Sequence, residues 1–337
     1  MFDPTSLTHP IVGAPMAGGP STPELTATIS AAGGFGLLAG AYLSPAALRE
    51  EIAQVRSSTS ASFGVNLFVP EEIPFDAEAF ERYRERLVPL ADRFGADLAE
   101  SVAYTDDAFD EKVAVLLDSG VAAVSFTFGI PAPEVFAAFD DRGIATIATV
   151  TGPIEAETAI AAGATALCAQ GVEAGGHRGT FHILDDDHAL PVRQLVEAVR
   201  GLDAPVIAAG GVGHRDDVVA LLDAGAAAVQ VGTLFLRCPE AGTRAAHRAA
   251  LADPAFTETA TTRAYSGRLA RGLVNDFIRA HTDAAPPVYP QINTLTGPLR
   301  KAAADDAQVI NLWAGTGWRG AEAIPAADVV EQLSPRT

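Results

Sequence analysis

One loop of this sequence surrounds a histidine with glycines. The segment QGVEAGGHRGTFH, residues 170–182, follows an apolar run and contains the carboxylate Glu173 and the imidazole His177. Imidazole changes its charge near neutral pH, so His177 is a candidate to take a proton from a ligand or to stabilise an anion. The alternative is a solvated loop histidine. The segment predicts acid–base chemistry at a place where a ligand can approach the backbone closely.

Two other glycine-rich segments predict a phosphate site. AAGGVG, residues 208–213, leads into a helix that opens at about Arg215, and VQVGTLF, residues 229–235, leads into another. Backbone N–H groups from two such loops can converge on one phosphate. The alternative is that these glycines only make tight turns.

Residues at other strand ends indicate the rest of the ligand. Pro15 and Met16 offer apolar and backbone contacts, whereas Asn66 and Gln170 carry amides that can bond ring carbonyls and imides. FMN meets these needs, because it joins a flat ring system to one phosphate. A flavin-free barrel enzyme that acts on a sugar phosphate stays open as an alternative.

The elements that must position these residues repeat along the chain. Short apolar runs, each followed by a turn and an Ala/Leu-rich helical segment, occur eight times between residues 10 and 233. Eight such units predict an α/β fold, a (β/α)8 TIM barrel. An open dinucleotide-binding sheet is disfavoured, because no G-x-G-x-x-G follows the first strand. The active site of such a barrel lies at the carboxyl ends of its strands.

Segments that exceed the barrel define the expected domain organisation of the 337 residues. Residues 1–240 are predicted to form the barrel, with a helical insertion at about 70–120. Residues 241–300 are predicted to form a substrate-side cap or lid. Residues 301–337 are expected to return to the barrel and supply a helix.

Composition excludes several classes of partner. The formal net charge is −19, which repels nucleic acid and anionic membranes. No apolar run approaches the roughly 18 residues of a membrane span, and the N-terminus lacks the pattern of a secretory signal, so we expect a cytoplasmic protein. The histidines and aspartates of residues 177–188 match no common metal-ligand spacing, so no metal site is expected.

Several segments together resemble the FMN-dependent nitronate monooxygenases of class I, formerly called 2-nitropropane dioxygenases. Over most of residues 9–240 the resemblance rests on PIVGAPMAGG, GGFGLLAG, FGVNLF, QGVEAGGHRG, VIAAGGVG and VQVGT. Flavin-dependent enoyl-acyl-carrier-protein reductases have a very similar glycine–histidine loop. The segments that favour the monooxygenases over these reductases are VSFTFGIP, SGRLARGLVNDF, YPQINTLTGPLR and NLWAGTGW.

The resemblance implies a role for each candidate residue. His177 would be the catalytic histidine, close to the flavin and the substrate. Ser125, Phe126 and Tyr289 would line the substrate pocket. Non-covalent FMN would be held by Ala14, Pro15, Met16, Asn66, Gln170, Gly175, Gly176, Gly210, Gly211, Gln230, Val231, Gly232 and Thr233.

The resemblance also implies a reaction. Alkyl nitronates such as propionate 3-nitronate would be oxidised by O2 to a carbonyl compound and nitrite, through an anionic flavin semiquinone. His177 would stabilise the anion as imidazolium, or remove the α-proton where the substrate is a nitroalkane. Arg268, Arg271 and Arg300 would attract an anion or anchor the cap by ion pairs. The alternative function is an FMN-dependent NAD(P)H reductase of enoyl thioesters or quinones, and the expected oligomeric state is a monomer or homodimer.

Overall fold

The computed structural model describes residues 2–99, 102–185 and 190–335. Within these residues eight parallel strands close into a barrel, which confirms the predicted (β/α)8 architecture. The first barrel strand pairs with the last, so the barrel has no open edge. The strands are β1 (Ile11–Gly13), β2 (Phe35–Ala39), β3 (Gly64–Phe68), β4 (Ala123–Thr127), β5 (Ala145–Val150), β6 (Ala166–Gln170), β7 (Gly176–His177), β8 (Val206–Ala209), β9 (Ala228–Val231), β10 (Thr259–Thr262) and β11 (Ala270–Leu273), of which β7, β10 and β11 lie outside the barrel.

Several helices begin at the signals that the sequence provides. Pro23 and Pro45 occupy first-turn positions, and the side chains of Thr22 and Ser44 accept N–H groups of those turns. Within the described residues, no helix is both long enough and apolar enough to cross a membrane. The helices are α1 (Pro23–Ala31), α2 (Pro45–Ser58), α3 (Ala77–Phe94), α4 (Phe109–Leu117), α5 (Pro133–Asp140), α6 (Pro153–Ala162), α7 (Val192–Val199), α8 (Arg215–Asp223), α9 (Ala245–Ala250), α10 (Asp276–His281), α11 (Gln291–Ala302) and α12 (Ala326–Leu333).

Strand alternation decides which side chains face the barrel interior. Val12, Leu37 and Ile147 belong to the interior cluster, whereas their strand neighbours, such as Leu38 and Ala148, pack against the outer helices. The polar residues near the carboxyl ends of the strands follow the same parity. Asn66, Ser125, Thr149, Gln170 and Gln230 therefore lie on the inner side, at the mouth of the barrel.

The predicted helical insertion divides between two parts of the molecule. Helix α4 lies against α2 and α5, as a barrel helix does. Helix α3 instead packs against α11, and its Tyr83 and Leu87 share a second hydrophobic cluster with Tyr265 and Leu295. The segment placed with the barrel by the sequence thus contributes one helix to the barrel and one to this second hydrophobic cluster.

The C-terminal part of the chain also serves two regions. Helix α12 packs against α1 and α8, and its Val329 and Val330 join the main core. Before that helix, Trp313 forms an isolated bridge with Gly272 of β11. Strand β11 pairs with both β10 and β7, so the histidine loop is hydrogen-bonded to the segment that follows the barrel.

Candidate active site

A cavity of about 370 Å³ opens at the carboxyl ends of the barrel strands. It is lined by every residue that the sequence predicted for FMN, and also by Ser125 and His177. Tyr289 lies in a smaller adjoining pocket of about 50 Å³, which shares Tyr42 and Phe68 with the larger cavity. The Tyr289 hydroxyl is 3.2 Å from that of Tyr42, so these two side chains lie between the cavity and the smaller pocket. The candidate FMN residues that line the cavity are Ala14, Pro15, Met16, Asn66, Gln170, Gly175, Gly176, Gly210, Gly211, Gln230, Val231, Gly232 and Thr233.

The histidine loop is held by hydrogen bonds on both sides. His177 pairs with Ala270 across the β7–β11 ladder. The Gln170 amide donates to the His177 carbonyl (3.0 Å) and accepts the Gly179 N–H (2.8 Å), so this side chain positions the loop as well as lining the cavity. The Glu173 carboxylate accepts the Val192 N–H (3.0 Å) and fastens the loop to the start of α7.

The His177 ring lies among aromatic side chains. Its centroid is 5.7 Å from that of Phe128, 6.1 Å from that of Tyr289 and 5.6 Å from that of Trp313. Its Nε2 atom is 2.8 Å from the Ser266 hydroxyl. Among the described residues, the Nδ1 atom has no hydrogen-bond partner, so it is the ring atom left for a ligand.

The environment of His177 favours the neutral imidazole. Burial lowers its pKa from 6.5 to about 3, and the nearby positive charges of Arg268 and Arg300 act in the same direction. A cation there would be desolvated and repelled by the two arginines, so of the two roles considered from the sequence these surroundings favour the base over the imidazolium. A neutral imidazole is the form that a general base requires.

The three arginines considered from the sequence have different surroundings. Arg268 is buried and forms an ion pair with Glu71 (2.6 Å), so it anchors the turn before β11 to the segment after β3. Arg271 donates to the backbone carbonyl of Val172 (2.9 Å), which also is an anchoring contact. Arg300 lines the cavity and, within the part of the chain that the structure describes, bonds only neutral oxygens. Arg300 is thus the one of these three that both lines the cavity and pairs with no carboxylate among the described residues, so its charge can compensate an anionic ligand.

The prediction that Phe126 lines the substrate pocket is wrong. Phe126 is completely buried and packs against Phe136 and Phe139, between the barrel and its helices. Strand alternation explains this, because its neighbours Ser125 and Thr127 face inward and Phe126 must face outward. Ser125 lines the cavity as predicted, and its hydroxyl accepts a hydrogen bond from the Asn66 amide (2.9 Å).

Sequence reasoning missed cavity residues that come from distant segments. Trp313 and Asn311 belong to the NLWAGTGW segment, whose tryptophans and glycines were a visible signal. Arg244 and His247 lie near the start of α9, and no motif distinguished them. His247 is buried at the cavity wall, and its Nε2 atom has no partner among the described residues.

The backbone of the cavity suits a flat ligand with an anionic group. Gly211 has a φ of +76° and Gly176 one of +75°, a backbone region that residues other than glycine rarely adopt. A Cβ atom on Gly176 would meet no protein atom within 4 Å, so the missing side chain leaves open space. The backbone N–H groups of Val212 and Thr233, at the two phosphate loops, donate to no acceptor among the described residues. These features fit the FMN predicted from the sequence.

Comparison with known proteins assigns the chain to a family. The sequence model of one family, described as nitronate monooxygenase, matches residues 3–336. A probable nitronate monooxygenase from Staphylococcus aureus (strain Newman) is 36% identical over 341 residues, which cover 97% of this chain and 94% of that protein. Among solved structures, nitroalkane oxidase from Streptomyces ansochromogenes has a TM-score of 0.94 and 45% identity, with 97% of this chain and 95% of that one covered. FabK from Thermotoga maritima has a TM-score of 0.75 and 25% identity, with 98% and 92% covered. The chain belongs to the nitronate monooxygenase family.

Proposed function

We propose that this protein uses non-covalently bound FMN and O2 to oxidise alkyl nitronates, and nitroalkanes after deprotonation, to a carbonyl compound and nitrite. The observation that supports this most is the position of His177. A neutral imidazole with a free Nδ1 lies at the wall of a cavity whose glycines and amides suit FMN. Nitroalkane oxidase from Streptomyces ansochromogenes, at 45% identity, is named for the same substrate class.

The residues at the two phosphate loops would hold the cofactor's phosphate. Val212 and Thr233 offer backbone N–H groups there, and the first turn of α8 adds the positive end of a helix dipole. Ala14 and Met16 would lie against the ring. When bound, FMN supplies the redox chemistry, by which electrons pass from the nitronate to O2.

His177 would act only on substrates that still carry an α-proton. Its neutral ring can accept that proton at Nδ1, while the electrons of the C–H bond remain on the substrate as a nitronate. A preformed nitronate needs no such step. Activity on nitroalkanes therefore depends on His177 more strongly than activity on nitronates does.

Charge and water exclusion come from other side chains. Arg300 would compensate the negative charge of the nitronate, because it lines the cavity and pairs with no carboxylate among the described residues. Phe128, Tyr289 and Trp313 surround His177 with apolar surface. Such surroundings strengthen electrostatic interactions in the site.

The proposal is tested by assaying the purified protein with propionate 3-nitronate and with short alkyl nitronates. We expect an absorbance band in the blue from bound flavin, O2 uptake and nitrite release, none of which requires NADH. Parallel anaerobic incubation with NADH tests the reductase alternative. Rapid bleaching of the flavin by NADH, together with no nitrite from any nitronate, would contradict the proposed function and support the reductase.

A further inference from the structure

Ser266, the hydrogen-bond partner of His177, lies on a rigid turn between β10 and β11. The N–H groups of Ser266 and Gly267 both donate to the Arg263 carbonyl, at 3.2 and 2.8 Å. Gly267 has a φ of +87°, and a Cβ atom there would lie 2.2 Å from the Val288 carbonyl oxygen. The turn is therefore closely confined, and Ser266 is buried within it.

The next residue clamps this turn to the rest of the site. Arg268 donates to the Thr180 carbonyl (2.9 Å) and to Glu71 (2.6 Å). Its guanidinium carbon lies 4.2 Å from the centre of the Phe128 ring. These contacts join the turn to the histidine loop and to the segment after β3, so the hydroxyl of Ser266 has a fixed position relative to His177.

The Ser266 hydroxyl has three partners, and they restrict where the protons can be. The oxygen is 2.8 Å from His177 Nε2, 3.2 Å from the Arg268 carbonyl oxygen and 3.3 Å from the Arg268 nitrogen. A hydroxyl donates one hydrogen bond and accepts up to two. The Arg268 N–H can only donate, so it uses one of the two acceptor positions of the Ser266 hydroxyl. The Arg268 carbonyl can only accept, so it receives the one hydrogen bond that the hydroxyl donates. The remaining place accepts a hydrogen bond from Nε2–H.

The opposite tautomer leaves a buried group without a partner. If Ser266 donated to Nε2, the carbonyl of the buried Arg268 would lose its only hydrogen-bond donor within the described residues. Buried polar groups are rarely left unpaired. The hydrogen bond at one ring nitrogen decides which nitrogen carries the proton, so this network selects the Nε2–H form.

We propose that Ser266 is a positioning residue that holds the proton of neutral His177 on Nε2, so that Nδ1 is the atom that removes the α-proton of a nitroalkane. The inference rests on the proposed function and adds to it the atom that acts as the base, Nδ1, and the residue that positions it, Ser266. On proton transfer the α-carbon to hydrogen bond breaks, an Nδ1–H bond forms, and the electron pair remains on the substrate as nitronate. Ser266 continues to accept the Nε2–H hydrogen bond, and its own hydroxyl proton stays in the hydrogen bond to the Arg268 carbonyl, so Ser266 transfers no proton.

The tautomer can be measured without any turnover. We would label histidine with ¹⁵N in the protein as purified and identify the His177 signals by their absence in His177→Asn. We expect the wild-type spectrum to show a protonated Nε2 and an unprotonated Nδ1, and Ser266→Ala to lose that preference. A protonated Nδ1 in the wild-type protein would overturn the proposal, whether or not any nitro compound is a substrate.

Kinetics separate positioning from a general structural role. We expect Ser266→Ala to lower kcat/KM for a nitroalkane about tenfold and to leave that for the corresponding preformed nitronate unchanged. Ser266→Thr, which keeps a hydroxyl, should restore much of the loss. Ser30→Ala serves as the control, because it removes another buried hydroxyl, one that accepts the Gly36 N–H far from the cavity. Equal losses on both substrates in Ser266→Ala would overturn the positioning role.

Discussion

At the residue scale, the site depends on how neighbours restrict His177. Burial and two arginines keep the imidazole neutral, Ser266 bonds its Nε2, and Gln170 bonds the backbone of its loop. The residue type indicated acid–base chemistry. The surroundings select the base over the cation, because desolvation and positive neighbours both disfavour protonation.

Replacing the proposed base, His177, tests this assignment directly. We expect His177→Asn to retain bound FMN and to lose about 10²- to 10⁴-fold in turnover of nitroalkanes, because no side chain remains to accept the α-proton. The measurement is nitrite release, with flavin absorbance to confirm cofactor content. Nitrite release at the wild-type rate would exclude His177 as the base, whereas activity kept on preformed nitronates alone would confine it to deprotonation.

The free charge of Arg300 predicts a second, different effect. We expect Arg300→Gln to raise KM for anionic nitronates about tenfold, because a charge-assisted hydrogen bond to the substrate is lost. Arg142→Gln is the matched control, since Arg142 pairs with Asp118 at the protein surface. Steady-state kinetics on a nitronate series would show the change. An unaltered KM would mean that the Arg300 charge does not contact the substrate.

At the element scale, helix α3 packs outside the barrel, in the second hydrophobic cluster. It follows a barrel strand in the sequence, yet its Phe80, Tyr83 and Leu87 pack with residues of α10 and α11. The Tyr83 hydroxyl donates to the Ala264 carbonyl (2.6 Å), two residues before Ser266. Helix α3 thus supports the turn that holds the histidine.

This packing predicts where a core mutation acts. We expect Leu87→Ala to lower the free energy of unfolding by about 2–5 kcal/mol and to increase hydrogen exchange mainly in α10 and α11. Leu48→Ala, at an equally buried position in α2, should instead increase exchange in the barrel helices. Equal increases in α2 and α11 for Leu87→Ala would show that α3 stabilises the barrel and the cap alike.

At the scale of the whole molecule, buried histidines link stability to pH. Burial lowers the pKa of His177 from 6.5 to about 3, and those of His247 and His281 from 6.5 to about 4. Between pH 6.5 and 4 the unfolded chain binds protons that the folded chain excludes. These histidines therefore lower the free energy of unfolding as the pH falls through that window.

Replacing His281 isolates the contribution of one histidine to the pH dependence of stability. His281 packs against Phe277, with ring centroids 4.5 Å apart, and lies outside the cavity. We expect urea unfolding of His281→Gln to show a smaller loss of stability between pH 7 and pH 4.5 than the wild-type protein shows. The same pH dependence in both proteins would mean that His281 is protonated as easily in the folded state as in the unfolded one.

The sequence by itself determined the barrel, because apolar periodicity and turn residues act within a few positions of each strand and helix. It also determined the FMN candidates, since they lie at strand ends that a closed barrel must bring together. Only the tertiary structure decided which of the two alternating sets of β4 side chains faces the barrel interior, and hence that Phe126 faces away from the cavity. It also decided that α3 packs with α10 and α11 and that Ser266 meets His177. These outcomes depend on strand parity and on contacts between distant segments, such as the 89 residues that separate Ser266 from His177. Packing between distant segments and desolvation determine these outcomes, and neither can be read from neighbouring residues in the sequence.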